Sequence, residues 1–441
     1  MKKMNNKLNQ EKTFKIKLKM TKTNSIWIYK YIIILLILLI VKIKAPFLRE
    51  LDNNEFNGIK ITIDKSKNNN ITNMINSTYK AFISEIIINE ETQSYSNTIL
   101  SELENNINNI TIKFNSLLTS CAYMFYELSN IIKIDLSNFD LSQVTDMSNI
   151  FGGCTSLSLV NLNNNNALSF IDMSYMFNRC ISLTSLDLSN FKATSIEGMF
   201  YNCISLLSLN LNNFNTSLVK DMSSTFYNCQ SLTELDLGSF DTSNTTQFYY
   251  LFFNCTSLIS LDLNHFDTSN AENMRFMFRN CKNLSTLIID NFDTSRTTRM
   301  SDMFRECNSL TTLNLSVFNI SSVDYIGYLF SGCSSLKELD INNFNTSLVN
   351  NMTDLFANCI SLISLKLGNN FNTTLVENMN NMFKGCSSLK EIDLSNFNTS
   401  SLETMSSIFD GCSSLESLDL NKFNTSKVTN MDYAFNECSS L

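Results

Sequence analysis

Across 441 residues the sequence has one proline, ten glycines and one histidine. So little proline and glycine excludes a string of domains joined by flexible linkers. A single histidine, His265, leaves little material for a Ser-His or Cys-His pair and none for a multi-histidine metal site. No glycine-rich loop is spaced to cradle a phosphate. Thirteen cysteines are present, but none stand in Cys-x-x-Cys spacing, so the usual zinc signature is missing. Residues 128–441 carry 16 basic and 30 acidic side chains, so the basic footprint of a nucleic-acid interface is missing as well. The expectation is a non-enzymatic chain with no cofactor, no metal and no nucleic-acid partner.

What the sequence does have is one phrase repeated twelve times over residues 128–437. The copies begin at Leu128 and then at each cysteine from Cys154 to Cys412. Ten of the twelve steps are 26 residues long; the copy at Cys359 has 27 and that at Cys180 has 23. A unit this short cannot bury its own apolar face, so the array must stack into a solenoid. With the cysteine as position 0, leucine-like residues fall at 3, 6 and 8, as in Leu232, Leu235 and Leu237. The 6–8 alternation is that of a strand with one buried face. Phe follows at 11 (Phe214, Phe240), then Asn/Asp-Thr-Ser, whose side chains can turn the chain and cap a helix. Apolar residues at 16, 19, 22 and 23, as in Val349, Met352, Leu355 and Phe356, have the spacing of one face of a short helix. The expected fold is therefore an α/β solenoid of 26-residue strand–turn–short helix units with a parallel sheet.

The spacing L-x-x-L-x-L is the strand signature of leucine-rich repeats, here with Phe in place of the usual Asn. The fuller phrase M-F-x-x-C-x-S-L-x-x-L-x-L-S-N-F-x-T-S-x-V-x-x-M resembles the BspA-like leucine-rich repeat surface proteins. It looks closest to the 26-residue version of mycoplasma-type bacteria and some protists. The resemblance covers about 310 residues and implies a non-enzymatic cell-surface protein with adhesion as its role. It carries no residue-level binding motif.

The N-terminal part reads differently. Residues 1–25 form a basic tail, and residues 1–49 carry a net charge of +11. The apolar stretch at 26–43 is read as a transmembrane signal anchor, or else a signal peptide. No small-x-small cleavage site follows, and Pro46 after Ala45 disfavours a cut. The positive flank would stay inside and leave the repeats outside. This places the chain at the cell surface as a single-pass membrane protein, with secretion as the alternative. Residues 46–101 read as an irregular stalk, with a strand-like piece at 59–63 and a helical one near 100–107. Residues 102–127 read as a partial capping repeat in which Leu118, Cys121 and Phe125 hold repeat positions.

The candidate partner-binding face is position 7, which points outward between two buried leucines. It holds Asp135, Asp187, Asp236, Asp262, Asp340, Asp393 and Asp419. Solvation alone would also explain such a column. Twelve of the thirteen cysteines, Cys438 among them, stack in one column, which permits either buried thiols or inter-unit disulfides. The array breaks its own rule where Asn165 replaces Phe, within the stretch 163–170, and where the copy at Cys180 drops three residues, placed between Ser195 and Met199. Asn215, Asn345, Asn398 and Asn424 begin N-x-S/T sequons. Residues 438–441 read as the start of a truncated repeat, with possible self-association through an uncapped C-terminal unit. The expected function is adhesion to a protein or cell-surface ligand. A structural surface coat without a specific ligand, or an intracellular repeat scaffold, are the rivals.

Overall fold

A computed structural model describes residues 57–67, 75–93, 105–162, 167 and 169–441. Leucines at 6 and 8 build the strand wall as their spacing requires. Ser260–Asp262 pairs in parallel with Thr286–Ile288, with Leu261 opposite Leu287. Ser185–Asp187 pairs in the same way with Ser208–Asn210, and Glu338–Asp340 with Ser364–Lys366. Leu261 and Leu263 are buried while Asp262 between them is exposed. A second parallel ladder runs along position 18, through Asp221, Gln247, Asn273 and Arg299. The repeats form a β-solenoid.

The expected short helices are not there. Among the described residues the only helical pieces are 3-10 turns at Lys65–Lys67 and Ser77–Phe82, both before the repeats. The reason lies in where the amide protons go. In a helix each N–H bonds four residues back within its own segment. Here the N–H groups of Met222, Ser224, Phe226 and Asn228 donate to Gln247, Tyr249, Leu251 and Phe253 of the next unit, at 2.7–3.0 Å. The residues between close i→i+3 turns: Thr225 N–H donates to Met222 O and Cys229 N–H to Phe226 O. Positive φ at Ser224 (57°) and Asn228 (62°) gives those two turns the type II pattern and forbids a continuous α-helix. Consecutive three-residue turns and one helical face share the same 3/4 apolar spacing, so Val219, Met222, Thr225 and Phe226 are all buried without a helix.

The interior is made of columns. Phe at position 23 stacks from Phe125 to Phe435 with ring centroids 5.3–6.1 Å apart. Phe at position 11 forms a second buried spine, with Phe214 and Phe240 5.8 Å apart and Phe371 and Phe397 also 5.8 Å apart. The Asn/Asp-Thr-Ser turn does not cap a helix. Asn215 Oδ1 accepts from Ser217 N–H at 2.9 Å, an Asx turn. The buried Thr216 hydroxyl donates to Asp241 O at 2.8 Å and accepts from Asp241 N–H at 2.9 Å, tying one unit to the next. An asparagine ladder at position 25 adds side-chain bonds: Asn228 to Asn202 at 2.7 Å, Asn254 to Asn228 and Asn280 to Asn254.

The three-residue deletion falls earlier than the sequence suggested. Ser195 pairs with Asp172 in the position-18 ladder and Lys192 with Asn215 at position 12. The loss therefore removes the Thr-Ser turn just after Lys192, and Ala193–Ser195 runs on as a strand. Residues 163–166 and 168 of the other irregular stretch lie outside the described residues.

Before the repeats, four strands form an antiparallel set: β1 (Gly58–Asp64), β2 (Ile83–Ile88), β3 (Glu91–Gln93) and β4 (Ile107–Phe114). With β5 (Ile131–Asp135) and β6 (Leu159–Asn161) they make one sheet in the order β3-β2-β4-β1-β5-β6. β1 runs antiparallel to both β4 and β5, with Ile61 opposite Ile110 and Ile134. Thus the edge of the first repeat strand is paired rather than open. The region read as an irregular stalk holds three of these strands. The described end of the helical piece expected near 100–107 is bend and strand instead. Leu118, Cys121 and Phe125 are buried, and Phe125 stacks on Phe151.

Candidate interaction faces

All seven position-7 aspartates lie on the strand wall, six of them exposed and Asp135 half-buried. The structure gives each a local task that the sequence reading missed. In every one, Oδ1 accepts the N–H two residues on, at 2.8–3.1 Å, and so ends the strand in an Asx turn. Asn210 and Asn314 do the same from the same position. The signal was present in the sequence: ten of the twelve position-7 residues are Asp or Asn, the two residues that make this turn. The Ser395 hydroxyl and N–H hold the Asp393 carboxyl below its ordinary value. Repulsion along the column is relieved locally. Asn161 Nδ2 donates to Asp135 Oδ1 at 3.0 Å, and Lys366 Nζ lies 3.4 Å from Asp340 Oδ2. The latter pair is solvent-exposed and worth little. Beside the column, a shallow groove is lined by Leu159, Leu186 and Leu209 together with Asn161, Asp187 and Asn210.

The other candidates resolve into structure. His265 Nε2 donates to Leu237 O of the preceding unit at 2.9 Å, the bond that Ser239 makes to Leu211 O and Asn343 to Leu315 O. No cysteine among the described residues is paired: twelve are buried free thiols and Cys438 is half-buried. Each Sγ from Cys154 onward donates to the carbonyl of the position-23 Phe one unit back, as Cys229 does to Phe200 O at 3.3 Å. Burial pushes the Cys154, Cys255 and Cys333 thiols up to about 12, far from the reactive thiolate range. Among the described residues no three His, Cys, Asp or Glu side chains are grouped as a metal site. Nor is any helix long and apolar enough to cross a membrane; the 26–43 segment lies outside the described residues.

The sequence matches a family described as "Mycoplasma protein of unknown function, DUF285" four times, over residues 119–206, 194–288, 283–365 and 362–441. No curated protein matches it. Among solved structures, a leucine-rich repeat protein from Bacteroides ovatus aligns at 19% identity and a TM-score of 0.33, covering 71% of this chain and 81% of that one. A leucine-rich cell surface protein from Faecalibacterium prausnitzii aligns at 17% and 0.32, covering 74% and 87%. A leucine-rich repeat protein from Eubacterium ventriosum aligns at 16% and 0.28, covering 61% and 81%.

Proposed function

The chain belongs to the DUF285 family, and from that premise we propose that it is a non-enzymatic, outward-facing repeat protein that adheres to a protein or cell-surface ligand through its strand wall. One observation carries this reading. The wall carries a carboxylate or amide at position 7 in ten of twelve units, seven of them exposed, in register and beside exposed apolar side chains such as Leu207 and Ile259. A surface repeated at rung spacing suits a broad, shallow contact with another macromolecule more than a small-molecule pocket. Membrane attachment through residues 26–43, with the repeats outside, completes the proposal and rests on the basic flank alone.

The Asx turns make a clean test possible. Asparagine accepts the same N–H, as Asn210 and Asn314 already do, so Asp187→Asn, Asp236→Asn and Asp262→Asn together remove charge and keep the turn. The triple variant should melt where the parent does. Beads coated with the full chain should adhere saturably to whole cells or extracellular proteins, and the variant should lose most of that adhesion. Undiminished adhesion would remove these aspartates from the binding face. Association only between copies of the chain would favour a surface coat.

Location is tested separately. External protease added to intact cells should digest the repeats while leaving a cytosolic marker whole. Protection of residues 128–441 would place the array inside.

A further inference from the structure

The seven arginines of the sequence are unevenly placed, with five of them, Arg275, Arg279, Arg296, Arg299 and Arg305, within residues 275–305. The array around them is otherwise acidic, with a net charge of −14 over residues 128–441. Arg275, Arg279 and Arg305 lie at positions 20 and 24, on the turn wall rather than the strand wall. The outward positions beside them are aromatic where other units carry Gly152, Asn178 or Ser331. Position 24 runs Tyr201, Tyr227, Phe253. Tyr201 and Tyr227 stack at 4.3 Å, and Tyr227 and Phe253 at 4.7 Å. The Arg279 guanidinium continues that stack, 5.7 Å from the Phe253 ring. At position 21, Tyr250 and Phe276 stack at 4.5 Å. Both sit at φ 59°, a left-handed conformation that bulky residues rarely adopt; Asn149, Gly198, Ser224, Asn381 and Ser407 fill it in some units and Tyr123, Tyr175, Tyr328 and Tyr433 in others. Tyr328, at φ 62°, lies under the Arg305 guanidinium at 4.4 Å. Asp302 is buried between Arg279, at 3.3 Å, and Arg305, at 3.1 Å, and holds both in place.

We infer that this part of the turn wall is a second docking surface, one that takes a short acidic segment of another polypeptide. It lies on a different wall from the aspartate column and does not depend on that column binding anything. The chemistry selects the occupant. The rings at position 24 face one another, so their faces are already used, which disfavours a sugar or a nucleic-acid base that needs a free π-face. What remains is ring edges, tyrosine hydroxyls and the outer N–H groups of held guanidiniums, which pair with carboxylates in a fork. Tyr and Arg are the residue types that dominate interface energies. Arg279 and Arg305 stand one rung apart, about 5 Å along the axis. A long polyanion would overhang an acidic array on both sides, and a short acidic segment would not.

The test uses the full-length chain and a fluorescein-labelled glutamate-rich peptide, with binding read by anisotropy at low and high salt. Saturable, salt-sensitive binding is expected. Arg275→Ala and Tyr250→Asn should each weaken it by about tenfold. Tyr250→Asn places at the left-handed position the residue that Asn149 and Asn381 supply elsewhere. It should therefore keep or raise the melting temperature, so lost binding cannot be blamed on unfolding. Arg279→Ala is the weaker probe, because it strips a partner from buried Asp302. Equal binding by parent and both variants would overturn the proposal. So would tighter binding of oligothymidylate than of the glutamate peptide, or an effect of the variants confined to association between copies.

Discussion

Replacing Phe304 by alanine is expected to lower stability by about 3–5 kcal/mol. Phe304 is fully buried and stacks between Phe278 at 5.8 Å and Phe330 at 5.9 Å, with Phe318 of the second spine at 6.5 Å. Truncation removes ring contacts on both faces and leaves a cavity that neighbours on a hydrogen-bonded ladder cannot collapse to fill. The loss falls on the coupling between adjacent units, and in a solenoid that coupling carries cooperativity. The unfolding transition should therefore broaden or split as well as shift. Leu207→Ala, at an exposed position, is the control and should change little. Denaturant melts of the two variants decide the matter: equal midpoints for Phe304→Ala and the parent would mean the column is not a core.

Alkaline pH should unfold the protein well before strong base. Below pH 9, the ordinary thiol value, folded and unfolded chains both keep their thiols protonated, and this source of stability is fully present. Above pH 9 the unfolded chain ionises, whereas burial holds Cys154, Cys255 and Cys333 protonated up to about 12. Folding then binds protons, so stability falls as pH rises through that window. Each such thiol contributes a loss of about 1.4 kcal/mol per pH unit, and three contribute about 4. Burial also lifts Tyr79 and Tyr325 to about 12, in the same direction. Against a typical total of about 5–15 kcal/mol, unfolding is expected near pH 10–11. Thermal melts at pH 8 and pH 10.5 under reductant provide the measurement. The same column predicts that thiol reagents at pH 8 titrate few groups in native protein and nearly all thirteen in urea. An unchanged melting temperature, together with rapid native labelling, would show that the thiols are open to solvent.

The candidate face was legible in location, but the turn-forming role of its carboxylates was not. Position 7 is exposed where the strand alternation places it, as Asp262 between Leu261 and Leu263 demonstrates. That the same carboxylates end their strands in Asx turns follows only from backbone direction two residues on, which apolar periodicity does not encode. His265 could be set aside as a turn residue from its neighbours, but its bond to Leu237 O needed the preceding unit in place. The crowding of arginines into residues 275–305 was visible in the sequence. Their union with Tyr201, Tyr227 and Phe253 was not, because those residues lie one to three units earlier and meet them only through stacking.

The period of 26 by itself determined that the chain stacks, that positions 3, 8, 11 and 23 face inward and that twelve of the thirteen cysteines form one column. Each of these follows from identical units being forced into register, since a repeated apolar residue must meet its own copy. Tertiary structure alone decided what the segment from 16 to 25 would become. Three- and four-residue spacing serves a helix and a run of three-residue turns equally well. The choice fell to the amide protons, which reach a carbonyl of the next unit once that unit lies alongside, as Phe226 reaches Leu251. The start of the array was settled in the same way. β1 has the alternation of any half-buried strand, and only its antiparallel pairing with β5 makes it the cover for the first rung. Local pattern specifies which side chains are buried, and hydrogen-bond partners far along the chain specify the backbone that buries them.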